Sequence, residues 1–188
     1  MSGENDTPRV WVGCLGCYNN GHLVGEWFDA VDAPLEMGEF LPRVFDTPGE
    51  GHAEEAHEEL WVMDFENFHG FLTEECSPRT AAELGRMLEK MQEDGCPPEA
   101  VVAWRDNGED LAEWDEPTRE RFEEAYAGVW PSLAAYAEQL AEDCDLIPTN
   151  VRWPMGCIDW KWAARELSYD GYWTAQAPDG EVYVFQPA

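Results

Sequence analysis

The chain has 188 residues, enough for one domain or for two to three small ones. Forty Asp and Glu stand against eleven Lys and Arg, for a formal net charge of -29; such a surface repels nucleic acid and anionic membranes and attracts basic grooves. An aromatic fraction of 13 %, with ten Trp, excludes a disordered acidic tail, and the lack of any eighteen-residue apolar run excludes a transmembrane helix.

Met1 to Pro8 is polar and lacks a signal peptide's apolar core, so a cytoplasmic protein is expected. Its cysteines, at positions 14, 17, 76, 96, 144 and 157, are then expected to be reduced. Arg9 to Cys14 alternates Trp11 with valines and reads as a strand; Asn19-Asn20-Gly21 is a turn signal, and Glu26 to Asp29 begins a second strand. Residues 32–59 hold Pro34, Pro42, Pro48, Gly49 and Gly51 and read as loop, with a short acidic run from Glu54 to Glu59 compatible with a helix. Leu60 to Phe65 is a third strand that could close a small sheet with the first two.

A helix is predicted from Ser77 to Gly95, with serine as N-cap, Pro78 at the first helical position and Gly95 as the stop. Leu84, Leu88 and Met91 form its apolar stripe. Further helices are predicted after Pro97-Pro98, including Val101, Val102 and Trp104, then from about Pro117 to Ala127, and from Ser132 to near Asp145. In the last, Leu133, Tyr136, Ala137, Leu140 and Cys144 share one face. Trp160 to Leu167 is a short helix, and Tyr172–Gln176 and Glu181–Gln186 are strands joined by Pro178-Asp179-Gly180. The order predicts an α+β chain of two to three small modules: a β-rich module over 1–66, a helical one over 67–108 and an α+β one over 109–188.

Charge is uneven along this order. Residues 1–60 carry thirteen acids and two bases, 61–105 nine and four, 106–150 thirteen and two, and 151–188 five and three. The near-neutral tail holds Trp153, Trp160, Trp162, Tyr169, Tyr172 and Trp173, a composition that suits an interface core and a domain core equally. Asp106, Glu109, Asp110, Glu113, Asp115, Glu116, Glu120, Glu123 and Glu124 are nine acids in nineteen residues. Glu138, Glu142 and Asp145 lie opposite the apolar face of the helix from Ser132. A single acidic stripe is ordinarily a solvated helix face, but solvated faces mix both signs, and Lys occurs only twice here. Duplex DNA carries one charge per ~1.7 Å of axis, so the net charge matches roughly 49 Å of duplex. A globule of this length is about 40 Å across.

Other motifs do not reach a chemical site. His52 and His57 bracket Ala-Glu-Glu-Ala at spacing i, i+5, whereas a zinc protease needs i, i+4 with Glu after the first His. Cys14-Leu15-Gly16-Cys17 has zinc-ligand spacing but no second such pair follows, so two ordinary cysteines are expected. Asp64, Glu66, Glu74 and Glu75 could bind a divalent cation, but no Lys stands near them to support a nuclease. No catalytic residue, metal or cofactor is expected.

Val10-Trp11-Val12-Gly13-Cys14-Leu15, then Tyr18-Asn19-Asn20-Gly21 and Gly25-Glu26-Trp27-Phe28-Asp29, resembles the opening of the ArdA antirestriction family. Trp61-Val62-Met63-Asp64-Phe65-Glu66-Asn67-Phe68 is similar to a later block of that family. Tyr126-Ala127-Gly128 with Ser132 to Ala137 resembles its later helix pair, and Gly180 to Phe185 its terminal strand. The acidic loop at 46–59 and the Cys-rich first strand depart from the pattern.

The resemblance implies an elongated, homodimeric DNA mimic, carried by mobile genetic elements, that fills the DNA groove of type I restriction-modification enzymes at the methyltransferase core. It acts by occupancy, without catalysis. The nine acids from Asp106 to Glu124, with Glu138, Glu142 and Asp145, would imitate phosphates, extended by Glu54, Glu55, Glu58 and Glu59. The C-terminal module, with Trp153, Trp160, Trp162, Tyr172 and Trp173, would form the dimer. Neither nucleic acid nor membrane is an expected partner. The alternative is an acidic inhibitor or adaptor of another DNA-binding protein, such as a nucleoid protein, a repressor or a CRISPR effector. A third reading, a small enzyme with a carboxylate-bound metal, rests on Asp64 and its neighbours alone.

Overall fold

Alternation of valine with larger residues sets the first sheet. In the computed structural model, which describes residues 6–44, 57, 59–147 and 157–187, Arg9–Cys14 forms strand β1. It pairs antiparallel with β2 (Gly25–Asp29) and β3 (Leu60–Glu66), in the order β2-β1-β3. Val10, Val12 and Val62 are wholly buried. Trp11 and Trp27 stand directly opposite one another across β1 and β2 and, with Trp61 and Met63, line an aromatic trough of about 410 Å³.

Two short helices interrupt the region between these strands. Helix α1 (Leu15–Asn19) leads into the expected turn, where Gly21 adopts φ +82°. Helix α2 (Met37–Val44) corrects the expectation of loop over 32–59. It forms despite Pro42, which has no N–H for the carbonyl four residues back. Phe40 is wholly buried, and the Glu39 carboxylate accepts the Leu35 N–H at 3.1 Å, satisfying a donor before the helix. Arg43 adds a hydrogen bond to the Asp32 carbonyl at 2.9 Å. Beyond Val44 the expected loop, including most of the run from Glu54 to Glu59, lies outside the described residues, apart from His57 and Glu59, which are not helical.

Helix α3 (Pro78–Glu93) begins as its sequence dictates: Ser77 Oγ accepts the Thr80 N–H at 3.1 Å, and Pro78 occupies the first turn. Its buried side chains are Pro78, Ala81, Ala82, Leu88 and Met91, with Gly85 among them, while Leu84 is half-buried. The packing face is therefore lined with small residues. A Cβ at Gly85 would lie 3.0 Å from that of Ala30, which shows how closely α3 rides on the 3-10 turn Ala30–Asp32.

The chain divides into two compact units, Met1–Pro98 and Glu99–Ala188. The second is built on aromatic rings. Helix α4 (Pro98–Asp106) contributes Trp104, and helix α5 (Glu116–Ala125) contributes Phe122. The Phe122 ring meets Trp104, Trp114, Tyr126 and Phe185 at centroid distances between 5.0 and 6.4 Å.

Strand β4 (Tyr126–Trp130) corrects the expectation that the helix runs on to Ala127 and that Tyr126–Gly128 belongs to a helix pair. Beyond Ala125 the backbone turns to pair with β6 (Val182–Phe185), through a bulge between Tyr126 and Gly128 where Gly128 takes φ +100°. The hairpin partner β5 (Trp173–Gln176) completes a second antiparallel sheet, ordered β4-β6-β5. The expected turn between β5 and β6 is present, with Asp179 and Gly180 at φ +60° and +81°.

Helix α6 (Leu133–Asp143) is capped by Ser132, and α7 (Trp160–Tyr169) by Asp159. Tyr136 and Ala137 of α6 are buried, but Cys144, expected on the same face, is exposed because it already stands past the last helical residue. The architecture is α+β: two three-stranded antiparallel sheets with helices, and a C-terminal helix and hairpin. Among the described residues no helix is long and apolar enough to cross a membrane.

Candidate functional site

The densest acidic surface starts from a helix cap. Asp115 Oδ1 accepts the Thr118 N–H at 3.0 Å and opens α5. Thr118, Phe122 and Ala125 are its buried residues. At about 100° per residue, Glu116, Glu120, Glu123 and Glu124 fall within an arc of about 100° on the opposite side. All four are exposed. The core thus orients the stripe: burying Phe122 obliges these carboxylates to face solvent.

Asp106, Glu109, Asp110 and Glu113, in and after α4, are exposed too, as is Asp115. Some of this charge is matched locally. Arg105 lies 2.8 Å from Asp106, Arg121 lies 3.4 Å from Glu109, and Arg119 lies 3.9 Å from Glu123. Exposed pairs of this kind contribute little to stability. The carboxylates of Asp110, Glu113, Glu116, Glu120 and Glu124 make no ion pair among the described residues.

On α6, Glu138 and Glu142 are exposed at i and i+4. Asp145 stands beyond the helix end at φ +53°, so helical spacing does not govern its direction. Asp143, not singled out by sequence reasoning, is exposed on the last turn and accepts a hydrogen bond from Gln139 at 2.8 Å. In the first unit Glu59 is exposed, while Glu54, Glu55 and Glu58 lie outside the described residues.

The aromatic tail divides between core and surface. Trp173 stacks on Phe185 at 4.0 Å, and Tyr172 meets Tyr136 at 5.8 Å. Trp160 is half-buried. Trp162 and Tyr169, on α7, remain 56 % and 75 % exposed, and Leu146 just past α6 is 73 % exposed. Trp153 lies outside the described residues.

These features define a small α+β protein with an acidic surface on α5 and exposed aromatic residues on α7. The family model described as antirestriction protein (ArdA) matches residues 10–178, and the chain belongs to that family. A search of curated proteins finds no match.

Proposed function

We propose that the protein blocks type I restriction-modification enzymes by occupying the DNA groove of their methyltransferase core, acting by binding alone. The observation that carries this reading is the stripe on α5. From Glu116 to Glu124 the helix rises about 12 Å at ~1.5 Å per residue. Four carboxylates in that span match the three to four phosphates that one DNA strand places there at roughly 3.4 Å spacing. The exposed acids from Asp106 to Asp115 and those of α6 supply further charge for a surface longer than one helix. A basic groove built to neutralise phosphates gains the same electrostatic energy from carboxylates held at that density.

The exposed Trp162, Tyr169 and Leu146 suit a homodimer contact, since aromatic residues are enriched in interface cores. Trp160, Tyr172 and Trp173 then support that surface from within the same unit. A cytoplasmic location follows from the target.

The test is the plating efficiency of unmodified phage on cells carrying a type I system. Expression of the protein is expected to raise it towards that of a restriction-deficient strain. The quadruple variant Glu116→Gln, Glu120→Gln, Glu123→Gln, Glu124→Gln is expected to lose most of this protection, and any one of the four changes little of it. Full protection by the quadruple variant would remove α5 from the surface, and no protection by the native chain against any type I system would overturn the reading.

A further inference from the structure

In the first unit, the sulfurs of two cysteines and one histidine nitrogen converge. Cys14 ends β1 and serves as N-cap of α1, so that its Sγ accepts the Cys17 N–H at 3.4 Å. Both thiols are buried, at 0 % and 3 % exposure. Leu15 donates its N–H to the Glu59 carbonyl at 2.9 Å, which seats the segment before β3 beside this turn. That brings His57 to the pair: its Nδ1 lies 3.3 Å from the sulfur of Cys14 and 3.3 Å from that of Cys17. The three donor atoms all lie within 4.8 Å of one another.

One ring nitrogen has either a single lone pair or a single N–H, so it cannot form two good hydrogen bonds to two thiols. An ion at the centre of the three atoms satisfies all of them at once. Tetrahedral zinc, at ~2.3 Å from sulfur and ~2.0 Å from nitrogen, would separate S from N by about 3.5 Å. The observed spacing is within a few tenths of an ångström of that. The Cys17 N–H directed at Cys14 Sγ is also what a metal-bound thiolate needs, since a donor aimed at the charged sulfur favours the charged form.

We propose that Cys14, Cys17 and His57 bind a divalent transition metal, zinc by its preference for thiolate and imidazole, and so clamp position 57 to the end of β1. The Cys-x-x-Cys spacing was visible in the sequence, but its third ligand stands forty residues further on and becomes a neighbour only through the β1–β3 pairing. Solvent takes the fourth tetrahedral position. Each thiol gives up its proton on binding, and two thiolates with one neutral imidazole leave the zinc site without net charge. The clamp therefore does not dilute the acidic character of the molecule.

The test is cobalt titration of the chelator-stripped, reduced full-length chain. One Co2+ per chain is expected, with a thiolate-to-cobalt charge-transfer band and the visible bands of tetrahedral cobalt, and Zn2+ is expected to displace it one for one. His57→Ala should weaken binding by more than the roughly 10–100-fold that loss of an outer partner costs, and Cys14→Ser with Cys17→Ser should abolish the charge-transfer band. Cys76→Ser and Cys96→Ser should retain it. Because Cys14 and Cys17 are buried and their variants could misfold, the native chain decides. A folded native chain, judged by circular dichroism, that develops no charge-transfer band overturns the proposal, as does a band that survives the double serine variant.

Discussion

Tyr183 shows how a single buried side chain ties this fold to pH. It is 3 % exposed, sits on β6 and packs near Tyr126 at a ring distance of 6.2 Å. Burial raises its pKa above the ordinary 10.0, and the charge of Glu99 adds to the rise. Tyr136 is raised as well, first by burial and then by the neighbouring Tyr172. A group whose folded pKa is raised gives its full stabilisation below the unfolded pKa and loses it as pH climbs through the folded one. The contribution of these two tyrosines should thus hold up to about pH 10 and be lost above, at no more than about 1.4 kcal/mol per pH unit for each. Urea unfolding at pH 9 and at pH 11 checks this, with Tyr183→Phe expected to lose less between the two than the native chain does. Equal losses would show that Tyr183 does not titrate with unfolding.

At the scale of elements, the β1–β2 pair turns on a feature that hydrophobic patterning does not register. Gly13 and Gly25 face each other across the pair, and the Trp11 ring covers both. A Cβ on Gly25 would come within 2.4 Å of that ring and 2.6 Å of the Val12 carbonyl oxygen. The carbonyl belongs to the backbone and cannot swing away. Gly25→Ala should therefore cost about 1–3 kcal/mol, as overpacking usually does. At Gly38, on α2, a Cβ meets nothing within 4 Å, and Gly38→Ala should leave stability unchanged or raise it. Denaturant unfolding of the two variants, compared with the native chain, measures both.

The elements that were legible in the sequence carry local signals: Ser77 with Pro78 for α3, Pro178-Asp179-Gly180 for the last hairpin, alternating valines for β1. Those that were not depend on distant partners or on context. Strand β4 exists because β6, more than fifty residues on, supplies its hydrogen bonds, and nothing within Tyr126–Trp130 announces that. Helix α2 was hidden by Pro42, whose cost is offset by the burial of Phe40. The acidic surface followed from composition, since charged side chains almost always remain exposed. The direction of Asp145 did not, because it hinges on where α6 ends. His57 could be joined to the cysteine pair only after the β1–β3 pairing was known.

For the whole molecule, a net charge of -29 works against compaction. Each unit counters it with a dense interior: small residues under α3 in the first, clustered aromatic rings around Phe122 in the second. Charge and fold are thereby separated, with the carboxylates outside, where they can act together on a partner. The measurement that bears most directly on this account is displacement of a labelled DNA duplex from a purified type I methyltransferase complex, with the protein's own affinity for the complex read at low and at physiological salt. One-for-one displacement, with an affinity that falls as salt rises, is the result expected of a surface that substitutes for phosphates. Folded protein that leaves the duplex bound across several such complexes would contradict it.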